Sequence, residues 1–155
     1  MKESKDKGFS LEINCDSEFK SYNLTYTQKK DIKAKLAEEL RQEKEVEFAF
    51  LHGSFLKNKS FRDIDIAVYL SDDLSYDKNL DFCNRLSVKL TYKVGFPIDV
   101  NFLNNASLGF CYHAVQGEIL TYQQLEEVYE FKEDIFIKYM DFYPFIKENL
   151  ADLLT

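Results

Sequence analysis

Two apolar runs constrain this chain more than any other feature. Val46-Glu47-Phe48-Ala49-Phe50-Leu51 reads as a mostly buried strand that ends at His52-Gly53-Ser54. Ile64-Asp65-Ile66-Ala67-Val68-Tyr69-Leu70 reads as a second strand of high β-propensity. Helical sequence flanks both. Ile32, Leu36 and Leu40 recur every four residues in a helix expected from about Gln28 to Lys44, capped by Thr27. Ser71-Asp72-Asp73 opens another helix, expected to reach about Val94, with Leu80, Cys83, Leu86 or Leu90, and Val94 inward. Gly95 ends it and Pro97 prevents its resumption. Beyond lie a third strand, Ile98 to Leu103, and a short helix, about Ser107 to Gln116, stopped by Gly117. Glu118 to Tyr122 reads as a fourth short strand, and Gln123 to Leu154 as helix with a break or kink near Pro144. Strands alternating with helices predict an α/β (α+β) sandwich with a helical C-terminus.

With 155 residues, the chain suits one domain, and its 45% hydrophobic content can fill a core without staples. The sequence divides into an N-terminal arm or extra edge strand, residues 1–26, and a folded domain, residues 27–155. Within the arm only Phe9 to Ile13 alternates like a strand. The formal net charge of -7 repels phosphate backbones, so bulk nucleic-acid binding is not expected. Cys15, Cys83 and Cys111 are too far apart for a zinc knuckle or redox motif, and their odd number fits no disulfide framework. Cys111-Tyr112-His113 reads as a buried small residue beside a surface histidine rather than as metal ligands. The charged start MKESKDKGF has no apolar run after it, and no stretch is long enough to span a membrane. These features predict a cytoplasmic location.

The segment Leu51 to Leu70 carries the chemistry. Asp63 and Asp65 lie two apart at the entry to a strand, where such residues share a face. Carboxylates so placed repel unless a cation holds them, and Mg²⁺ favours such oxygens together with substrate phosphate. Two such ions can clamp both oxygens of an in-line displacement. Asp99 adds a third carboxylate, on the same face of its strand as Asn101. If that strand is a neighbour, Asp99 binds a second metal, acts as a base toward an incoming hydroxyl, or does both. Gly53-Ser54 ends a buried strand, where glycine lets backbone approach a phosphate and free N–H groups bind anions. Lys57, Lys59 and Arg62 are placed to neutralise a triphosphate. The glycine spacing of a Walker A loop is missing. His52 reads as a locally packed residue.

Gly53-Ser54, the basic loop, Asp63-Ile64-Asp65 and the later Asp99 resemble the minimal nucleotidyltransferases of the DNA polymerase β-like superfamily. Ile98 to Ala106, Gly117 to Tyr122 and Tyr139-Met140-Asp141-Phe142 are similar to the subgroup paired with HEPN-domain toxins. The resemblance covers about Gln28 to Leu150. It implies a nucleotidyltransferase fold, with a small mixed sheet of about four strands packed with helices. It implies Mg²⁺, as two ions, and a nucleoside triphosphate, usually ATP. For the subgroup it implies an antitoxin that places AMP on a tyrosine of its HEPN RNase partner. By position, Gly53 and Ser54 hold the triphosphate, and the loop reading adds Lys57 and Arg62 to the same nucleotide-binding set. Asp63 and Asp65 bind both metals, and Asp99 completes the metal site and helps deprotonate the acceptor. Two departures stand out: only eight residues, Phe55 to Arg62, separate Ser54 from Asp63, and Asn58 replaces a common glycine. Asparagine tolerates left-handed geometry, so a left-handed turn there remains feasible. The alternatives are an antitoxin acting by contact alone, which has no need of the carboxylates, and a small-molecule nucleotidyltransferase, for which the chain is short.

Overall fold

The computed structural model describes residues 20–72 and 74–154. In chain order the elements are β1 (Tyr22–Asn23), α1 (Tyr26–Arg41), β2 (Val46–His52), α2 (Ser54–Lys57), β3 (Ser60–Phe61) and β4 (Ile64–Leu70). They continue as α3 (Tyr76–Val94), β5 (Ile98–Phe102), α4 (Leu108–Val115), β6 (Glu118–Tyr122) and α5 (Leu125–Leu154). Four strands make one mixed sheet in the order β5-β4-β2-β6. β4 and β5 run parallel, and β2 is antiparallel to both β4 and β6. β1 and β3 form a separate antiparallel ribbon, with Tyr22 opposite Phe61. This is the small mixed sheet with packed helices that the resemblance implies, built from the alternating strands and helices read in the sequence.

Alternation along the strands sorts side chains into two cores. On one face Leu36 and Leu40 of α1 and Cys83, Leu86 and Leu90 of α3 pack on Leu51, Ile66 and Val68. On the other, Phe48, Phe50 and Ala67 meet Cys111, Ala114 and Val115 of α4 and Val128 and Ile135 of α5. Each fully buried aliphatic or phenyl side chain contributes about 1.5–3 kcal/mol. Gly117 lets β6 start hard against β2, because a Cβ there would overlap the Leu51 carbonyl oxygen. The turn into α4 is fastened by Asn104, whose buried carboxamide accepts from Leu70 N and donates to Leu70 O, both at 2.9 Å.

Several boundaries differ from the sequence expectation. The cap of α1 is Thr25, not Thr27: its hydroxyl accepts from Gln28 N while the Gln28 side chain accepts from Thr25 N, a reciprocal capping box. Similarly, α3 begins after Ser75, whose hydroxyl accepts from Lys78 N, rather than at Ser71. The inner stripe of α3 is Asn79, Cys83, Leu86 and Leu90; Leu80 stands one position round and is exposed. α5 runs through Pro144 as one continuous helix, so no break occurs there. Neither α2 nor β3 was expected. The proposed strand at Phe9 to Ile13 lies outside the described residues. Among the described residues no helix is long and apolar enough to cross a membrane.

Candidate active site

One row of the sheet assembles the site. His52, the last residue of β2, is in register with Asp65 of β4, and Asp65 is in register with Asp99 of β5. Asp63 lies just ahead of β4. Strand alternation sends Ile64, Ile66, Ile98 and Val100 into the core shared with α1 and α3, so Asp65, Asp99 and Asn101 take the face toward α4 and α5. The adjacency on which the role of Asp99 depends is thus a parallel strand pair. β5 is an edge strand, and α3 satisfies its outward N–H groups: Ile98 N donates to Thr91 Oγ1 at 3.0 Å and Val100 N to Ser87 Oγ at 2.9 Å. These bonds bracket Asp99 and fix its height. Asp99 Oδ2 accepts from Asn101 Nδ2 at 3.2 Å.

Gly53 turns the chain out of β2 at φ 83°, ψ −160°, a conformation essentially confined to glycine. A Cβ at this position would overlap Asp65 Oδ2, so the turn runs directly against the carboxylate. Ser54 starts α2, a single turn. A polar cleft of about 390 Å³ opens here, lined by Ser54, Asn58, Ser60, Arg62 and Asp63 with Ser21 and Phe61. Of the three loop cations only Arg62 lines this cleft; Lys57 and Lys59 are exposed outside it. Asn58 has φ −112°, an extended conformation, so the left-handed turn considered for it does not form.

Lys29 shapes this loop and was missed from the sequence. Its ammonium donates to Phe55 O at 2.7 Å and Asn58 O at 2.8 Å, binding the first turns of α1 to α2 and the chain after it. It lies 5.1 Å from the Phe55 ring centroid and 5.6 Å from that of Phe61. No local pattern announces it, because its partners are 26 and 29 residues away.

Burial, reinforced by the charges of Asp63 and Asp99, pushes the Asp65 carboxyl up to about 6. Burial also holds the His52 imidazole below its usual range, although Asp99 pulls the other way and His113 and Lys57 add to the lowering. His52 Nε2 is buried and has no hydrogen-bond partner among the described residues. Its ring meets Phe110 of α4 edge-on, with centroids 5.7 Å apart. Among the described residues no three His, Cys, Asp or Glu side chains form a ready-made metal cage. The donor chemistry fits Mg²⁺ nonetheless: Asp65 is costly to ionise beside two like charges, and a divalent cation reverses that cost. Mg²⁺ commonly takes one or two carboxylates and completes its shell with water and substrate phosphate.

Acidic side chains on neighbouring strands, facing a glycine turn with a polar cleft behind it, define a nucleotidyltransferase. The sequence comparison agrees and supplies the family. The chain belongs to the family described as Polymerase beta, Nucleotidyltransferase, whose profile matches residues 34–127, more than half of its length. No curated protein matches by sequence. Among solved structures, the fold is shared with a chain from the tri-AMPylated Shewanella oneidensis HEPN toxin in complex with MNT antitoxin. The two are 21% identical with a TM-score of 0.64, over 82% of this chain and 99% of that one. A chain of a toxin–antitoxin crystal structure with AMP-PNP is 22% identical with a TM-score of 0.65, over 79% and 98%. A chain of the toxin–antitoxin MntA-HepT is 20% identical with a TM-score of 0.63, over 81% and 99%.

Proposed function

We propose that this protein is an Mg²⁺-dependent antitoxin that transfers AMP from ATP to a tyrosine hydroxyl of a HEPN-domain toxin. The observation that carries the reading is the Asp65–Asp99 register across two parallel strands, with the Gly53 turn packed against Asp65. The similar structures support the acceptor and the donor, since one contains a tri-AMPylated HEPN toxin and another AMP-PNP.

Gly53 and Ser54 receive the β- and γ-phosphates, through backbone N–H groups and the Ser54 hydroxyl, and Arg62 neutralises them from the cleft wall. Asp63, Asp65 and Asp99 are the residues that hold metal. Bound Mg²⁺ supplies charge neutralisation on the phosphate oxygens and on the attacking oxygen. Asp99, the most exposed of the three strand-row residues, takes the proton of the acceptor hydroxyl. The acceptor oxygen bonds to the α-phosphorus as the bond from that phosphorus to the β-bridging oxygen breaks, and pyrophosphate carries away the electron pair. His52, held neutral by burial, walls the site and adds no positive charge to repel the metal.

The test is incubation of the protein with α-labelled ATP, Mg²⁺ and a HEPN-domain toxin. Label moves to the toxin with the native chain and fails to move with Asp63→Ala or Asp65→Ala. Transfer that survives both substitutions, or no transfer with the native chain, overturns the reading.

A further inference from the structure

The apolar face of α5 outruns the domain it packs on. Val128, Phe131 and Ile135 lie on one stripe of the helix and pack in the core beside α4. Tyr139, the next position on that stripe, stacks flat on Tyr112 of α4, with centroids 3.6 Å apart. The same helical spacing continues through Phe142, Ile146, Leu150 and Leu153, with Tyr143 beside them. Here the stripe is open: Phe142 is 44% exposed and Leu153 81%. Asp141, Glu148 and Asp152 fall on the opposite side of the helix.

The helix runs toward the carboxylates. Phe131 packs on Phe48 and Tyr69, cross-strand neighbours at the far end of the sheet. Tyr139 reaches Tyr112, two residues past the Phe110 that meets His52. Phe48 to His52 is four residues of strand, about 13 Å, and Phe131 to Tyr139 is eight of helix, about 12 Å. α5 therefore climbs the sheet face that carries Asp65 and Asp99. Its last four turns, about 20 Å, project beyond the row they form with His52.

We infer that this overhang is the docking face for the protein that accepts AMP, which seats an apolar patch of its own along Tyr143, Leu150 and Leu153. The inference rests on the nucleotidyl-transfer reading and extends it from the acceptor's hydroxyl to its body. A single tyrosine side chain gives the carboxylate row little to hold, so a protein acceptor needs a surface outside it. The overhang supplies one at the active end of the sheet, on the face the carboxylates share. At these exposures the stripe offers on the order of 500 Å² of apolar surface. Patches of that size mark interaction sites. A specific interface takes about 800 Å² from each partner, an apolar centre within a polar rim, and the stripe is large enough to be that centre. A second copy fits less well, because paired on this stripe it would stand across the acceptor's approach to Asp99.

Binding of the full chain to an immobilised HEPN-domain toxin tests this, beside sedimentation and thermal unfolding of the free protein. Tyr143→Lys and Leu150→Lys each weaken toxin binding at least about tenfold. In the AMP-transfer assay each raises KM for the toxin by a similar factor and leaves kcat and KM for ATP within about twofold. Glu148→Ala, on the polar side of the same turns, leaves all of these within about twofold. Native toxin affinity in both Lys variants overturns the docking face and leaves the transfer reading standing. A native chain that binds the toxin through this stripe and moves no AMP keeps the docking face and overturns the transfer reading. A native chain that does not bind the toxin overturns both. A free protein that sediments as a dimer, and as a monomer in both Lys variants, assigns the stripe to a second copy. An unfolding temperature lowered by several degrees in both assigns it to residues 1–19. Either result overturns the proposal.

Discussion

On the α1 and α3 side of β4 and β5, Ile64, Ile66, Val68, Ile98 and Val100 are all buried; on the other side the alternating positions include Asp65, Asp99 and Asn101, each open to solvent in part. The same two strands thus present one face that is apolar throughout and one that is acidic at the Asp65–Asp99 end and apolar beyond it at Ala67. The difference shows how a small domain tolerates clustered like charges. One face supplies the burial that holds the strands in register, and the edge N–H groups of β5 are satisfied by Thr91 and Ser87 of α3. The other face is then free to keep carboxylates that repel, and the Asp65 carboxyl pushed up to about 6 records that repulsion.

Adjacent substitutions break this comparison most sharply. Asp65→Asn removes several kcal/mol of charge stabilisation and slows AMP transfer about a thousandfold. It costs the fold nothing. The raised carboxyl penalises the folded state as pH rises from 3.8, the ordinary value, through about 6. In Mg²⁺-free buffer near neutral pH the Asn variant is therefore more stable, by about 1 kcal/mol after discounting for solvent reaching the side chain. Ile66→Ala one position along does the reverse: it loses about 3 kcal/mol of stability and leaves transfer by the folded protein within a few-fold. Urea denaturation beside a transfer assay reads both. Equal losses of activity and stability at the two positions would sink the division of labour between the faces.

A smaller effect is expected one layer out, where Lys29 holds the loop proposed to meet the phosphates. Lys29→Met keeps the aliphatic stem across the Phe55 and Phe61 rings and loses both donated bonds. KM for ATP rises about tenfold, the worth of one charge-assisted hydrogen bond, while kcat changes less. Lys29→Arg restores part of the loss. An equal drop in kcat, or no rescue by arginine, would make Lys29 a stability residue only.

Much of this was legible in the sequence, and the gaps have physical causes. Ile64 to Leu70 and Glu118 to Tyr122 form strands with the bounds the pattern predicts, because β-rich runs between turn residues leave little choice. The helix starts were ambiguous. Thr27 reads as the cap, but the reciprocal bond with Gln28 that fixes the start forms at Thr25. Asp63 and Asp65 could be paired by spacing alone. Asp99 could not, because a parallel neighbour is chosen by the crossover through α3 and not by local sequence. Lys29 was invisible for the same reason: it acts on partners brought close only by the fold.

The smallest effect sharpens the comparison with a second acidic pair on the same sheet. Glu47 of β2 faces Glu127 in the first turn of α5, and its carboxyl is raised by burial, then by the charge and hydrogen bond of Glu127. This is the electrostatic pattern of Asp65 without the glycine turn and polar cleft found beside Asp65. A raised carboxyl favours the folded state while protonated and penalises it as pH climbs through the folded value, so the cost is absent at low pH and complete at neutral pH. Glu47→Gln removes it. Thermal unfolding near pH 7.5 then shows the variant more stable by about 0.5 kcal/mol, a figure kept small because the side chain is largely solvated, and near pH 3.5 the two proteins coincide. Mg²⁺ is expected to leave this gap unchanged and to close the gap between Asp65→Asn and the native chain, because the proposed cation site is the Asp65 row and not Glu47.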